Sequence, residues 1–89
     1  EVFVPSAFSP NDDGNNDMEC LYSDCIDYFV FTIYNRWGEK VFETSDMNIC
    51  WDGTWKGKAL NSGVFVYVLD GYLIDGQTIN QKGNISLIR

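Results

Sequence analysis

The chain has 89 residues and a formal net charge of −7, from 6 Lys and Arg against 13 Asp and Glu, with three Cys and no His. Because His is the commonest catalytic base and metal ligand, its absence argues against an enzyme. The acidic balance argues against nucleic-acid binding. No apolar run approaches the roughly 20 residues that span a bilayer, so we expect no transmembrane segment.

The residue types favour strands joined by turns. Val, Ile, Thr and the aromatic residues number 32, against 21 good helix formers. Gly, Pro, Asn, Asp and Ser are as plentiful as the strand formers. Helical bundles and coiled coils are therefore excluded, and 45% hydrophobic residues allow a packed core in one small domain.

The first half of the chain predicts a short strand at residues 2–4, which Pro5 ends. Residues 6–17 are rich in turn formers and predict a loop, and a weak strand follows at Met18–Tyr22. The strongest strand pattern is Tyr28–Tyr34, which is apolar on both faces and is typical of a central strand.

Three further strands are predicted, at Lys40–Thr44, Val64–Ile74 and Gln77–Arg89. A turn at residues 35–38 and a tight turn at residues 75–76 make two hairpins, while residues 45–63 are mostly loop. Gly71 and Gly83 lie inside strand patterns and predict bulges. Together these elements predict an all-β fold, an immunoglobulin-like antiparallel β-sandwich of about seven short strands.

The net charge is concentrated at the start of the chain. Residues 1–27 contain seven acidic residues and no basic one, whereas residues 28–89 contain six of each. Such a segment is a solvated face, a cation site or a surface for a basic partner.

The segment around Gly14 has the register of a calcium loop. Oxygen-bearing residues fall on the ligand positions, namely Asn11, Asp13, Asn15 through its backbone carbonyl, and Asp17. The position where a complete loop carries a bidentate Glu is Cys20, so the loop is incomplete. The alternative is an Asx-rich turn whose side chains bond to their own backbone, with no calcium.

The three cysteines allow one disulfide and one odd thiol. We predict the pair Cys25 and Cys50, because the longer closed loop removes more entropy from the unfolded chain than a bond between Cys20 and Cys25. Cys20 is then the odd thiol. The alternative is three reduced, buried cysteines.

Five aromatic residues suggest a surface for stacking sugars: Tyr34, Trp37, Trp51, Trp55 and Tyr67. We favour packing instead, because Trp37 and Trp51 stand beside turns, where a large ring can close the end of a sandwich. Arg36 beside Trp37 fits a structural stack or an ion pair.

Several motifs follow one another along nearly the whole chain: Val4–Asn11 with Asp13-Gly14 and Asn16-Asp17, Ile33–Gly38, Val41-Phe42, Trp51–Gly53, Gly57-Lys58, Ser62–Tyr67, Lys82-Gly83, Ile85 and Leu87–Arg89. With these motifs the chain resembles the gliding-motility-associated C-terminal domain, the type B sorting domain of the type IX secretion system of Bacteroidota. Asp12 departs from the family, which usually has Gly there.

The resemblance implies that residues 1–89 form a single C-terminal sorting domain of a larger secreted protein. Such a domain is not an enzyme. It implies passage through the periplasm, recognition by the type IX outer-membrane translocon and accessory subunits of the PorP/SprF type, and delivery of N-terminal passenger domains in the same chain to the cell surface or the medium. The alternative function is an adhesive or carbohydrate-binding module of a surface protein.

A sorting domain must present a surface to its receptor. One candidate is the acidic region, residues 11–19. The other, which we favour because the family's sorting determinants are C-terminal, is an open edge of the last strand, formed by Asn84, Ile85, Ser86, Leu87, Ile88 and Arg89. The alternative is that this segment is only the last ladder of the sheet.

Overall fold

The structure is a computed structural model, and it describes residues 2–10 and 17–89. Within these ranges it contains nine strands and no helix. The strands are β1 (Val2–Phe3), β2 (Ala7–Phe8), β3 (Tyr22–Ser23), β4 (Ile26–Tyr34), β5 (Lys40–Thr44), β6 (Thr54–Trp55), β7 (Lys58–Ala59), β8 (Gly63–Leu73) and β9 (Thr78–Leu87). Those beyond the predicted set have only two residues, too few for an alternating pattern to show in the sequence.

Five strands form the main sheet, in the order β2-β9-β8-β4-β5. The long strands pair antiparallel, and β8 and β9 form the predicted hairpin, in which the Gly76 amide donates to the Leu73 carbonyl at 2.9 Å. Gly76 has φ +88°, a conformation that glycine adopts at little cost. In the part of the chain that is described, β2 alone pairs parallel, against the end of β9.

The predicted bulges at Gly71 and Gly83 are wrong, because the β8–β9 register runs unbroken from Gly63↔Leu87 to Tyr72↔Thr78. Instead, both glycines allow atoms of a neighbouring strand to come close to their backbone. A Cβ at Gly71 would collide with the backbone carbonyl of Tyr28 on β4, and one at Gly83 would lie 2.6 Å from the ring of Tyr67 on β8. The register breaks lie in β4–β8 between Ile26 and Tyr28 and in β4–β5 between Ile33 and Tyr34.

The core lies against one face of the main sheet. Alternate residues of its strands point inward and are buried: Phe29, Phe31, Ile33, Phe65, Tyr67, Leu69, Ile85 and Leu87. Facing them are the β1–β3 and β6–β7 ladders and the connecting segments, from which Leu21 and Trp51 enter the core. Two layers enclose one core, which confirms the predicted β-sandwich.

Trp51 is the central side chain of the second layer and is only 1% exposed. Its ring contacts Phe8 and Phe65 at centroid distances of 5.3 and 5.0 Å, and its Nε1 donates to the Thr54 carbonyl at 2.9 Å. A buried indole needs such an acceptor. Trp51 therefore packs in the core, as predicted, and joins the two layers.

The disulfide links Cys20 and Cys50, so the predicted pair Cys25–Cys50 is wrong. Glu19 and Trp51 form an antiparallel bridge with two backbone hydrogen bonds, of 2.8 and 3.0 Å. Their neighbours Cys20 and Cys50 then face each other as a pair without backbone hydrogen bonds, where Cα atoms approach most closely, and their Cα atoms are 4.7 Å apart. Cys25 takes no part, and its Sγ lies 3.5 Å from Ser23 Oγ.

Candidate functional site

The C-terminal segment, predicted as an open edge, is bonded on both sides over most of its length. Asn84 pairs with Val66 of β8. On the other side the Ser86 amide donates to the Ser6 carbonyl at 2.8 Å and the Ile88 amide to the Phe8 carbonyl at 3.0 Å. Because the carbonyls of β2 and the adjoining Ser6 accept these hydrogen bonds, the open-edge interpretation is wrong for residues 86–88. A part of residues 84–89 in partner binding stays a prediction.

The side chains of this segment also stabilise the fold, through core packing and hydrogen bonds. Ile85 and Leu87 lie in the core. The Arg89 amide donates to Ser62 Oγ at 2.9 Å, and its guanidinium donates to the carbonyls of Gly53, at 3.0 Å, and Leu60. These bonds fasten the end of β9 to the second layer, so removing the segment would destabilise the domain whatever its part in partner binding.

The predicted calcium loop falls largely outside the described residues. Asn11, Asp13 and Asn15 belong to residues 11–16, and Asp17 alone of the predicted ligands is described, as a half-buried residue. Among residues 2–10 and 17–89 there is no group of three or more acidic or thiol side chains that could hold a metal ion. Calcium binding stays a prediction.

Glu19, one of the seven acidic residues in the first 27 and part of the candidate acidic surface at residues 11–19, is a buried carboxyl group. It is fully buried, and neither side-chain oxygen has a hydrogen-bond partner among the residues that the structure describes. Burial away from water disfavours the charged form and raises the pKa of Glu19 to about 8. The bridge to Trp51 holds its backbone in place, and the sequence carries no signal for that pairing.

The turn between β4 and β5 is fixed by one side chain. Asn35 Oδ1 accepts hydrogen bonds from the amides of Trp37 and Glu39, both at 2.9 Å, and Asn35 Nδ2 donates to Glu39 Oε1 at 2.8 Å. The Gly38 amide closes the turn on the Asn35 carbonyl at 3.0 Å, with φ +83° at Gly38. These bonds satisfy the backbone amides of the turn within the turn itself and give residues 36 and 37 a defined position.

Trp37 projects from this turn and is 72% exposed, so the prediction that it packs at a corner is wrong. The guanidinium carbon of Arg36 lies 4.5 Å from the centroid of its ring, which confirms the predicted stack. A cavity of about 360 Å³ opens beside the pair. Its lining includes Trp55, Leu60 and Val64.

The five aromatic residues considered for sugar stacking do not share a surface. Trp51 and Tyr67 are buried in the core, whereas Trp37 is exposed. Trp55 is half-buried beneath the Lys56 amino group, which lies 4.8 Å from its ring centroid. The alternative interpretation, a stacking surface made of all five residues, is therefore wrong.

A family model described as the CHU_C type IX secretion signal domain matches residues 2–87. The chain belongs to this family. The signal domain is thus a sorting module of the type IX secretion system, as the motifs of the sequence predicted, and its family function is non-catalytic. That function is export to the cell surface or the extracellular space through contact with the secretion machinery.

The fold of the signal domain also occurs in a protein of distant sequence. The crystal structure of CopC from Methylosinus trichosporium OB3b matches with a TM-score of 0.61 and 14% identity, over 98% of this chain and 93% of that one. At this identity the match concerns the fold alone. A comparison with curated proteins finds no match. Over residues 2–10 and 17–89, no helix has the length and hydropathy to cross a membrane.

Proposed function

We propose that the signal domain directs a passenger in the same chain across the outer membrane and onto the cell surface. The passenger precedes the domain and passes through the periplasm before delivery. The match to the secretion-signal family over residues 2–87 is the observation that carries this proposal. A chain without His suits a function that depends on being recognised and needs no reacting group.

The partners in this proposal are the outer-membrane translocon and its accessory subunits. Recognition of a folded domain is favoured by a surface that keeps its shape before binding, since ordering a flexible surface on binding lowers affinity. The disulfide between Cys20 and Cys50 and the internally bonded turn at Asn35 supply such rigidity. The domain therefore suits recognition in its folded state.

Export of a reporter tests the function. A fluorescent protein with a Sec signal peptide is fused ahead of residues 1–89 and produced in a bacterium that has a type IX system. We expect reporter at the cell surface or in the medium, and retention in the periplasm in a strain that lacks the translocon. A core variant, Leu69→Asp, should also be retained because the folded domain is lost. Equal export with and without the translocon would refute the proposal.

The C-terminal segment needs substitutions that leave the core intact. Asn84 and Ile88 are exposed, so Asn84→Ala and Ile88→Ala remove side chains from the surface only. If this segment contacts the receptor, both variants lower export while their melting temperatures stay near that of the parent. Ile74→Ala, at another exposed apolar position, is the matched control. Normal export by both variants would remove the Asn84 and Ile88 side chains from the receptor contact.

A further inference from the structure

The most exposed large apolar side chain of the described residues stands on a rigid turn. Trp37 is 72% exposed, ahead of Ile74 at 68%. The Asn35 side chain satisfies the turn, so the fold gains little from an indole at this position. Trp and Arg are the residues most often found as energetic anchors of protein interfaces, and a fixed backbone lowers the entropy that binding costs.

Arg36 is available to an anionic partner. Its guanidinium stacks on Trp37. Among the described residues the salt bridge found joins Lys40 and Glu43, at 3.0 Å, and does not involve Arg36. Stacking leaves the edge of a guanidinium open, and that edge matches the geometry of a carboxylate. A carboxylate that docked there would meet a cation already held in position.

Basic residues gather around this end of the sandwich although the chain as a whole is acidic. Lys40 begins β5 directly after the turn, and Lys56 and Lys58 belong to the β6–β7 hairpin that supplies Trp55 to the cavity. Glu43 pairs with Lys40, whereas Glu39, which lines the cavity, keeps its charge because it accepts from the neutral Asn35 amide. Arg36, Lys40, Lys56 and Lys58 outnumber these two acids, so the charge of this end complements an acidic segment.

The cavity adds an apolar contact beside the guanidinium. Its volume is about 360 Å³, and Trp37, Trp55, Leu60 and the exposed Val64 contribute to its wall. The rest of the wall is mostly polar and includes Arg36 and Glu39, so the cavity offers an apolar contact beside charged groups. A peptide with an apolar side chain next to an acidic one would place the first in the cavity and the second on Arg36.

We propose that Arg36, Trp37, Trp55 and Val64 form a docking surface, the turn-end surface, for an acidic, partly apolar polypeptide segment of the outer-membrane translocon. This inference rests on the proposed function and names the contact that serves it. A carboxylate of the partner pairs with the Arg36 guanidinium, and a neighbouring apolar side chain enters the cavity between Trp37 and Trp55.

Matched variants of the whole domain test the turn-end surface. Arg36→Glu reverses the charge, Arg36→Lys keeps it without the planar fork, and Trp37→Ala removes the anchor. Lys82→Glu and Ile74→Ala make the same kinds of change at exposed positions elsewhere. Each domain is assayed for binding to purified translocon by surface plasmon resonance at low and high salt, for export of the fused reporter, and for its melting temperature.

We expect Arg36→Glu and Trp37→Ala to weaken binding about tenfold or more and to lower export. Arg36→Lys should be intermediate, both control variants should stay within about twofold of the parent, and salt should weaken the parent more than Arg36→Glu. Parent-like binding by Arg36→Glu and Trp37→Ala, or equal losses in the two controls, overturns the inference and leaves the proposed function standing. Failure of the parent domain to export the reporter overturns the proposed function itself.

Discussion

Replacing Cys20 and Cys50 together with Ser removes the cross-link between the two sides of the Glu19–Trp51 bridge. The two cysteines are 30 residues apart. In the chain-entropy model, a loop of this length corresponds to a loss of about 3.6 kcal/mol of stability. Small domains have little stability to lose, and a change of 1 kcal/mol moves the melting temperature by about 4–8 °C at this size. We therefore expect the double variant to melt roughly 15–30 °C lower.

Circular dichroism melting of the oxidised parent, the double variant and the single variant Cys25→Ser measures this effect. Cys25→Ser should melt near the parent, because Cys25 forms no disulfide. Non-reducing mass spectrometry after alkylation should show label on Cys25 alone. A large loss of stability in Cys25→Ser, or a peptide linking Cys25 to Cys50, would refute the assigned pairing. A double variant as stable as the parent would refute the entropy argument.

Three further predictions concern acidity, calcium and strand spacing. In calcium-free buffer, the stability of the parent should fall by about 3–4 kcal/mol from pH 5 to pH 8, because Glu19 ionises near its ordinary pKa of 4.5 in the unfolded chain and only near 8 when it is buried. Glu19→Gln should lack this fall in urea titrations, and parallel pH profiles would contradict the assignment. If the loop binds calcium, millimolar Ca²⁺ should raise the melting temperature of the parent but not of Asp13→Ala or Asp17→Ala, and no rise in the parent would remove the calcium hypothesis. Gly71→Ala should destabilise by about 2 kcal/mol or more, because its methyl group would meet the backbone of β4, whereas Gly63→Ala, which meets nothing closer than 4.0 Å, should change stability little; equal melting temperatures would contradict the close approach.

The candidate sites show why sequence reasoning reached some residues and missed others. Local chemistry was visible: the stack of Arg36 on Trp37 follows from their adjacency. The burial of Glu19 was not visible, because the weak strand predicted at Met18–Tyr22 does not by itself show that a carboxyl group in it faces the core. The exposure of Trp37 was also missed, since large rings beside turns often pack, and only the position of the neighbouring elements leaves this one in solvent.

In the C-terminal segment, the strand pattern could be predicted from the sequence but the strand that pairs with it could not. Its strand character was predictable from Ile85 and Leu87, which alternate with polar residues. That this strand is not an open edge depends on β2, a two-residue strand from the other end of the chain. Pairing between segments so distant in sequence leaves no periodic trace in either segment.

The all-β sandwich, its long central strands and hairpin, and the secretion-signal family could be predicted from the residues alone, because strand alternation, turn residues and motifs are local properties. The pairing of the cysteines could not, because it depends on contacts between distant segments. Cys20–Cys50 and Cys25–Cys50 close loops of nearly equal entropy, and the bridge between Glu19 and Trp51 selects the first. The same is true of the turn-end surface, whose members come from separate parts of the chain and meet because β4, β5 and β8 end or begin at one end of the sheet.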